Sequence, residues 1–380
     1  MSPRFPLLLL SRDLDGGGSQ RQLVEVARRL DPTLFSPHVG CFYATGLRRE
    51  ELRQAGVPVV EFPVRSFKSP STFRVAARFG DYLRRHHIAL VHSFDVPMNL
   101  FAVPAARWHR APLVLSSQRA SRSLTPGFYH RWLRLTDRMV DAIVVNSEAV
   151  RKELEEQDRV PPARIRLCYN SLDTEHFHAR RQPRTAALGD ASLVIGSTAM
   201  FRPEKGLATL VEAFAAVSSL LPGMKLLLVG DGPLRQDLEA LAGRLGILSQ
   251  CHFPGAHSDV SEWLRQMDIF VLPSLSEALS NSLLEAMACG CAVVASRTGG
   301  NPELVRTTPS GQTGLLFDPG QPASLAAQLR SLIGGDTLRA SLSTAAQAFV
   351  QSTFAPAQTI RNFQDLYLEL LRGKGLLPTS

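Results

Sequence analysis

The sequence predicts an α/β chain of two doubly wound domains, each a parallel sheet covered on both faces, facing each other across a cleft. Three observations predict it. Short apolar runs alternate with amphipathic helical stretches along the whole chain, as expected of buried parallel strands joined by crossover helices. The alternation breaks once, over 178–192 (HARRQPRTAALGDAS), which is polar, Arg-rich and carries Pro183 and Gly189. A length of 380 residues, 44% of them hydrophobic and 20% charged, suits two ordinary domains with real cores. The expected boundaries are 1–180 and 190–355, followed by a helix at 356–380 that packs back toward the N-terminal domain.

The elements follow in order. MSPRFPLLLLSRD places only four leucines together before Ser11, too few for a signal-peptide core or a bilayer span, and reads as the first strand. Further strands are expected at 38–43, 88–94, 113–117 and 142–147 in the first half. The second half repeats them at 193–199, 225–230, 251–255, 269–274, 291–296 and 313–317. Between them lie helical stretches such as SQRQLVEVARRL, with Leu23, Val26, Ala27 and Leu30 on one face. Ligands of such sheets sit beyond the carboxyl ends of the strands, so the residues after each run matter most.

Charge is uneven. Residues 1–180 hold 27 Lys+Arg against 18 Asp+Glu, a net +9, whereas the rest hold 15 against 16, a net −1. No nucleic-acid motif accompanies the basic half, so nucleic acid is not an expected partner. An anionic membrane surface or a phosphorylated acceptor suits it, and so does plain solubility. Five cysteines in neither zinc-site nor disulfide spacing point to a reducing, cytoplasmic setting.

After the first strand comes SRDLDGGGSQRQ. Gly16 to Gly18 let backbone approach a phosphate or sugar at a helix start, or simply make a tight turn. Asp13 and Asp15 have a metal-binding spacing but precede a glycine loop, and no metal is expected. VGDGPLRQDL at 229–238 starts like a dinucleotide fingerprint, yet Arg235 occupies the third glycine position, which argues against a dehydrogenase. Following LVIGSTA, Arg202 and Lys205 crowd a helix start near Leu207. Cations there oppose the helix dipole unless an anion such as a diphosphate binds.

The stretch SEALSNSLLEAMACG, 276–290, has a glutamate at each end of one interval. After the strand IFVLPS, Ser280 or Asn281 is expected to cap a helix that Gly290 stops. Glu277 then lies in the exit loop and can accept hydroxyl hydrogen bonds. Amides from Leu279, Ser280, Asn281 and Ser282 suit a negative group, and Glu285 can reach further hydroxyls. Sugar, diphosphate and ribose in series would satisfy this arrangement.

On these motifs, together with VHSF, VDAIVVNSEAVRKEL, RIRLCYNSLDTEHF, RPEKG, LLLVGDGP and FPGAHSDVSEWL, the chain resembles the family-four retaining glycosyltransferases of the GT-B fold over nearly its whole length. The resemblance implies two Rossmann-like domains, with the acceptor on the N-terminal side and a UDP-, GDP- or ADP-type sugar on the C-terminal side. It implies that Glu277 holds donor-sugar hydroxyls, Glu285 binds ribose, and a basic pair, here Arg202 and Lys205, holds the diphosphate. Gly17 and Gly18 would approach the donor phosphates, and His257 would lie beside the base. The chain also departs from the pattern. Met200 stands where an arginine is usual, Gln118 and Arg119 follow the strand where a histidine is usual, and Asn170-Ser171 replaces Asn-Gly. His92, Gln118 and Arg119 are the acceptor-side candidates, with a structural role for His92 equally open.

The implied activity is metal-independent hexosyl transfer, with no cofactor, to a glycan, polyprenyl-linked or small-molecule acceptor, at the inner face of the cell membrane. A nucleotide-sugar epimerase and a non-catalytic nucleotide-sugar binder remain as rivals. PGFYHRWLRLTDRMV, 126–140, read as a helix, aligns Phe128, Trp132, Leu135 and Met139, beside Arg131, Arg134 and Arg138. That helix suits an anionic bilayer, or else packs its apolar stripe on the sheet.

Overall fold

A computed structural model describes residues 4–15, 17–179 and 184–377. The chain divides into two units, one reaching Ser171 and resuming at Pro356, the other spanning Leu172–Ala355. The division precedes the polar stretch 178–192, and Arg180–Pro183 lie outside the described residues.

The first unit carries strands β1 (Phe5–Ser11), β2 (Phe35–Cys41), β3 (Val59–Glu61), β4 (Leu90–Ser93), β5 (Leu113–Gln118), β6 (Ala142–Val145) and β7 (Ile165–Leu167). They form one parallel sheet in the order β3-β2-β1-β4-β5-β6-β7. Helices α1 (Gly18–Arg29), α2 (Arg48–Gln54), α3 (Ser71–Arg85), α4 (Val96–Trp108), α5 (Gly127–Met139) and α6 (Glu148–Glu156) make the connections. Leu7, Leu8, Leu9 and Leu10 of β1 are all fully buried, as a strand covered on both faces requires. Pro37 is tolerated inside β2 for a local reason. Val39 N–H donates toward the β3 side, to Pro58 O, and Pro37, two residues earlier, faces that same side before β3 begins.

The second unit carries β8 (Leu193–Thr198), α7 (Leu207–Ala215), β9 (Met224–Val229), α8 (Arg235–Arg244), β10 (Cys251–Gly255), α9 (Ser261–Leu264), β11 (Ile269–Leu272) and α10 (Asn281–Ala288). It continues with β12 (Ala292–Ser296), α11 (Asn301–Leu304), β13 (Thr307–Thr308), β14 (Gly311–Gln312), β15 (Leu315–Phe317), α12 (Pro322–Ile333) and α13 (Asp336–Thr353). Its parallel sheet runs β10-β9-β8-β11-β12-β15, with β13 and β14 as a separate hairpin. Both units are therefore Rossmann-like α/β folds.

Helix α14 (Pro356–Gly373) belongs to the first unit, where Ile360, Phe363, Leu366, Tyr367 and Leu371 share one core with Leu7, Leu9, Phe35 and Phe94. Helix α5 is oriented against one of its two expectations. Leu133, Thr136 and Asp137 face inward, while Phe128, Trp132 and Leu135 are 69%, 52% and 47% exposed. The apolar stripe does not pack on the sheet. The inward face is instead fixed by Asp137, which pairs with the buried Arg122 at 2.9 Å. No helix among the described residues is long and apolar enough to cross a membrane.

Candidate functional site

In the second unit the strand order reverses between β8 and β11, the point where doubly wound sheets open a crevice beyond their carboxyl ends. The loops leaving these two strands carry Arg202, Lys205 and Glu277. Gly206 joins them closely: its φ is +62°, and a Cβ there would stand 2.2 Å from Pro273 O, so only glycine fits. Leu275 N–H donates to Glu204 O at 2.8 Å. A third loop, after β12, closes on the same spot, since a Cβ on Gly299 (φ +49°) would lie 1.7 Å from Glu277 O.

These loops hold Glu277 from below. Lys205 Nζ lies 2.6 Å from Glu277 Oε1, and Ser274 Oγ donates to the same oxygen at 2.9 Å. Both contacts engage Oε1, which leaves Oε2 as the oxygen able to accept from a ligand. Arg202 is exposed and precedes the short 3-10 turn Pro203–Lys205, with no ion pair recorded for it among the described residues. Met200 is 52% exposed.

Helix α10 begins beside Glu277. Ser280 is its cap, accepting from Leu283 N–H at 3.2 Å, and Gly290 ends it with a φ of +87°. Asn281 and Ser282 form its first turn, whose amides the helix ladder itself does not use. Leu279 is buried, and Glu285 lies within the helix at 5% exposure. His257 follows β10, exposed, its ring 5.0 Å from that of Trp263. Ser274 and Gly299 escaped sequence reasoning. The paired glycines of RTGGN after a strand were the available signal for the second.

In the first unit, Gly17 caps α1 with an ordinary extended backbone, φ −65°, and Gly18 opens that helix. A Cβ on Gly17 would meet Gln20 Oε1 at 2.3 Å, the movable end of a side chain, so no left-handed conformation demands glycine there. Gly16 lies outside the described residues. Asp13 is occupied by Arg12 Nε at 2.9 Å and by Gln20 Nε2 at 2.9 Å, which shapes the loop. Among the described residues no three His, Cys, Asp or Glu side chains gather into a metal-binding group.

Two of the three acceptor-side candidates are enclosed. His92 is fully buried, with Nδ1 2.7 Å from Tyr367 Oη and Nε2 2.8 Å from Ser117 Oγ. Burial, aided by the Arg119 charge, lowers its pKa to about 3, so it is neutral and bolts Tyr367 to Ser117, which suits the structural role left open for it. Gln118 is likewise enclosed, donating to Ala120 O at 2.6 Å and accepting from Arg122 Nε at 3.3 Å. Their positions at a strand end were legible, but not the direction of their side chains. Arg119 is half-buried and bonds to Asn170 Oδ1.

Residues 16–176 match the model of Glycosyltransferase Family 4, and residues 180–349 match that of Glycosyl transferases group 1. Sulfoquinovosyl transferase SQD2 of Arabidopsis thaliana is 28% identical over 284 residues, 70% of this chain and 54% of that protein. The lipopolysaccharide core biosynthesis glycosyltransferase LpsE of Rhizobium meliloti is 31% identical over 237 residues, 62% of this chain and 66% of LpsE. The chain thus spans about half to two-thirds of these curated relatives. Among solved structures, Anabaena HepE in complex with UDP and glucose superposes with a TM-score of 0.83 at 21% identity, over 96% of this chain and 100% of HepE. Sucrose-phosphate synthase of Thermosynechococcus elongatus gives 0.76 at 18% identity, over 97% and 100%. At such identities the likeness is one of fold. With both units matched by their models, the chain belongs to the family-four glycosyltransferases of the GT-B fold.

Proposed function

We propose that this chain is a retaining hexosyltransferase that takes its sugar from a UDP-, GDP- or ADP-type donor and needs no metal or cofactor. The observation that carries the reading is Glu277, fixed through Oε1 by Lys205 and Ser274 beside the start of α10. In this reading Glu277 Oε2 accepts from donor-sugar hydroxyls and orients the ring. As the bond from the anomeric carbon to the diphosphate oxygen breaks, its electron pair leaves with the diphosphate. Arg202, the remaining N–H groups of Lys205 and the amides of Leu279, Ser280, Asn281 and Ser282 stabilise that charge. The acceptor oxygen attacks from the face the diphosphate leaves, and its proton passes to a diphosphate oxygen. Glu285 takes the ribose, and His257 and Trp263 flank the base. HepE, which shares the fold, was solved in complex with UDP-glucose, which supports a nucleotide-sugar donor.

The acceptor is a glycan, a polyprenyl-linked glycan or a small molecule. The outward stripe of α5, Phe128, Trp132 and Leu135 flanked by the exposed Arg131, Arg134 and Arg138, supports work at an anionic bilayer, at the cytoplasmic face of the cell membrane.

Incubation with radiolabelled nucleotide sugars, with and without membrane lipid extract, tests the reading. Label should move to an acceptor with its anomeric configuration kept, and turnover should survive chelation. Interconversion of free nucleotide sugars would support the epimerase, and tight binding without turnover the binder. A strict metal requirement would return attention to Asp13 and Asp15.

A further inference from the structure

Arg119 holds an enclosed positive charge that no carboxylate among the described residues of its own unit balances. Its Nη2 donates to Asn170 Oδ1, its guanidinium carbon lies 5.7 Å from the Phe94 ring centroid, and its Nη1 is buried without a partner. Other internal arginines of this unit are matched by carboxylates. Arg122 meets Asp137 at 2.9 Å and Asp158 at 3.1 Å, and Arg107 meets Asp141 at 2.8 Å. The groups around Arg119 offer no such charge. Burial pushes the Cys168 thiol up to about 12 and the Tyr367 phenol well above its ordinary value, so both are neutral near pH 7. Arg119 itself is drawn down by burial only to about 10 and stays cationic. An uncompensated charge in such a place costs the fold stability, which argues that a partner of opposite sign arrives from outside.

Two further buried polar atoms without partners lie at the same edge, Asn146 Oδ1 and Ser171 Oγ. Asn146 Nδ2 donates at 3.3 Å to the same Asn170 Oδ1 that Arg119 uses. Ser171 is held by Gln22, which donates to its carbonyl at 2.8 Å and accepts from its N–H at 2.6 Å. A guanidinium N–H, a hydroxyl and an amide oxygen therefore gather beyond the carboxyl ends of β5, β6 and β7, the edge where such sheets hold ligands. Ala120, next to Arg119, is exposed, so solvent is one residue away.

We propose that Arg119, Ser171 and Asn146 form an acceptor subsite that receives a phosphate-type oxyanion next to a hydroxyl. Arg119 Nη1 supplies the counter-charge, Ser171 Oγ donates to a second anion oxygen, and Asn146 Oδ1 accepts from the hydroxyl. Assigning the phosphate to the acceptor rests on the glycosyltransferase reading; the anion chemistry does not.

Calorimetric titration with inorganic phosphate tests this on the full chain, first alone and then with UDP at saturation so that a donor diphosphate subsite is filled. Phosphate should still bind in the presence of UDP. Arg119→Met and Arg119→Gln should weaken it at least tenfold and leave UDP affinity unchanged. Arg119→Gln keeps a donor for Asn170 and serves if the methionine variant fails to fold. Equal phosphate affinity in wild type and Arg119→Gln overturns the proposal, as does loss of all phosphate binding once UDP is present. Should UDP itself not bind, the donor reading falls, and the phosphate comparison still decides the subsite.

Discussion

Lys205 Nζ stands 2.6 Å from Glu277 Oε1, joining the exit loops of two adjacent strands through one ion pair. The lysine is half-buried and the carboxylate side chain only 11% exposed. Under the proposed function the pair would couple two roles: the lysine that neutralises a leaving diphosphate would also set the carboxylate that holds the sugar.

Glu277→Gln keeps an oxygen for Lys205 and Ser274 but removes the charge. Transfer should fall by about 100–1,000-fold, the usual size of one lost transition-state contact. Thermal unfolding should stay within about 1 kcal/mol of wild type. Near wild-type turnover would remove Glu277 from the mechanism.

Lys205→Ala and Arg202→Ala should both weaken nucleoside-diphosphate binding in a calorimeter, with the lysine variant the weaker binder. Arg202 is exposed, whereas Lys205 also anchors Glu277. Unchanged affinity in Arg202→Ala would assign the arginine's role to another residue.

Gly299→Ala forces a methyl toward Glu277 O, to 1.7 Å before relaxation. Both the left-handed backbone and this contact oppose the substitution, so the loop must move and carry Glu277 with it. Donor affinity and turnover should drop together, read as a fall in kcat/KM. Wild-type kinetics would show that the three loops do not position Glu277 jointly.

The buried His92 gives a pH signature. Its folded pKa of about 3 lies below the ordinary histidine value of 6.5, so between these limits the unfolded chain binds the extra proton. Its contribution is complete above pH 6.5 and is lost as pH falls toward 3, at up to about 1.4 kcal/mol per pH unit. The stability gap between wild type and His92→Gln, from urea unfolding, should shrink on acidification. A gap constant from pH 7 to 4 would place His92 in contact with solvent.

Flotation tests the α5 surface. The protein should rise with anionic vesicles at low salt, stay down with neutral ones, and release as ionic strength increases. Trp132→Ser with Phe128→Ser should abolish flotation without loss of fold, because both side chains are exposed. Flotation indifferent to these changes would move the contact elsewhere on the basic half.

Periodicity made both sheets legible, because strands buried on two faces read as unbroken apolar runs. It overlooked β3 and β7, three residues each, whose half-buried edge positions leave no such run. The Ser280 cap and Gly290 stop were local signals and therefore visible in SEALSNSLLEAMACG. The stripe on α5 was visible too, but which side turns inward depends on Arg122 meeting Asp137, an ion pair no periodicity encodes. The two roles left open for His92 could not be separated for a related reason. Its partner Tyr367 comes 275 residues later, and nothing near VHSF announces it.

That long-range contact also dictates an order of events during synthesis. The first unit is emerging while the hydrophobic residues that finish its core, Phe363, Leu366, Tyr367 and Leu371, do not yet exist. Every strand of its sheet can be made, and all of Leu172–Ala355 can fold as a continuous stretch, before α14 leaves the ribosome. Until then the apolar cleft around Phe35 and Phe94 and the ring of His92 face water. A chain stopped at Ala355 should keep a folded second half attached to a sticky, protease-sensitive first half, the nascent state made permanent.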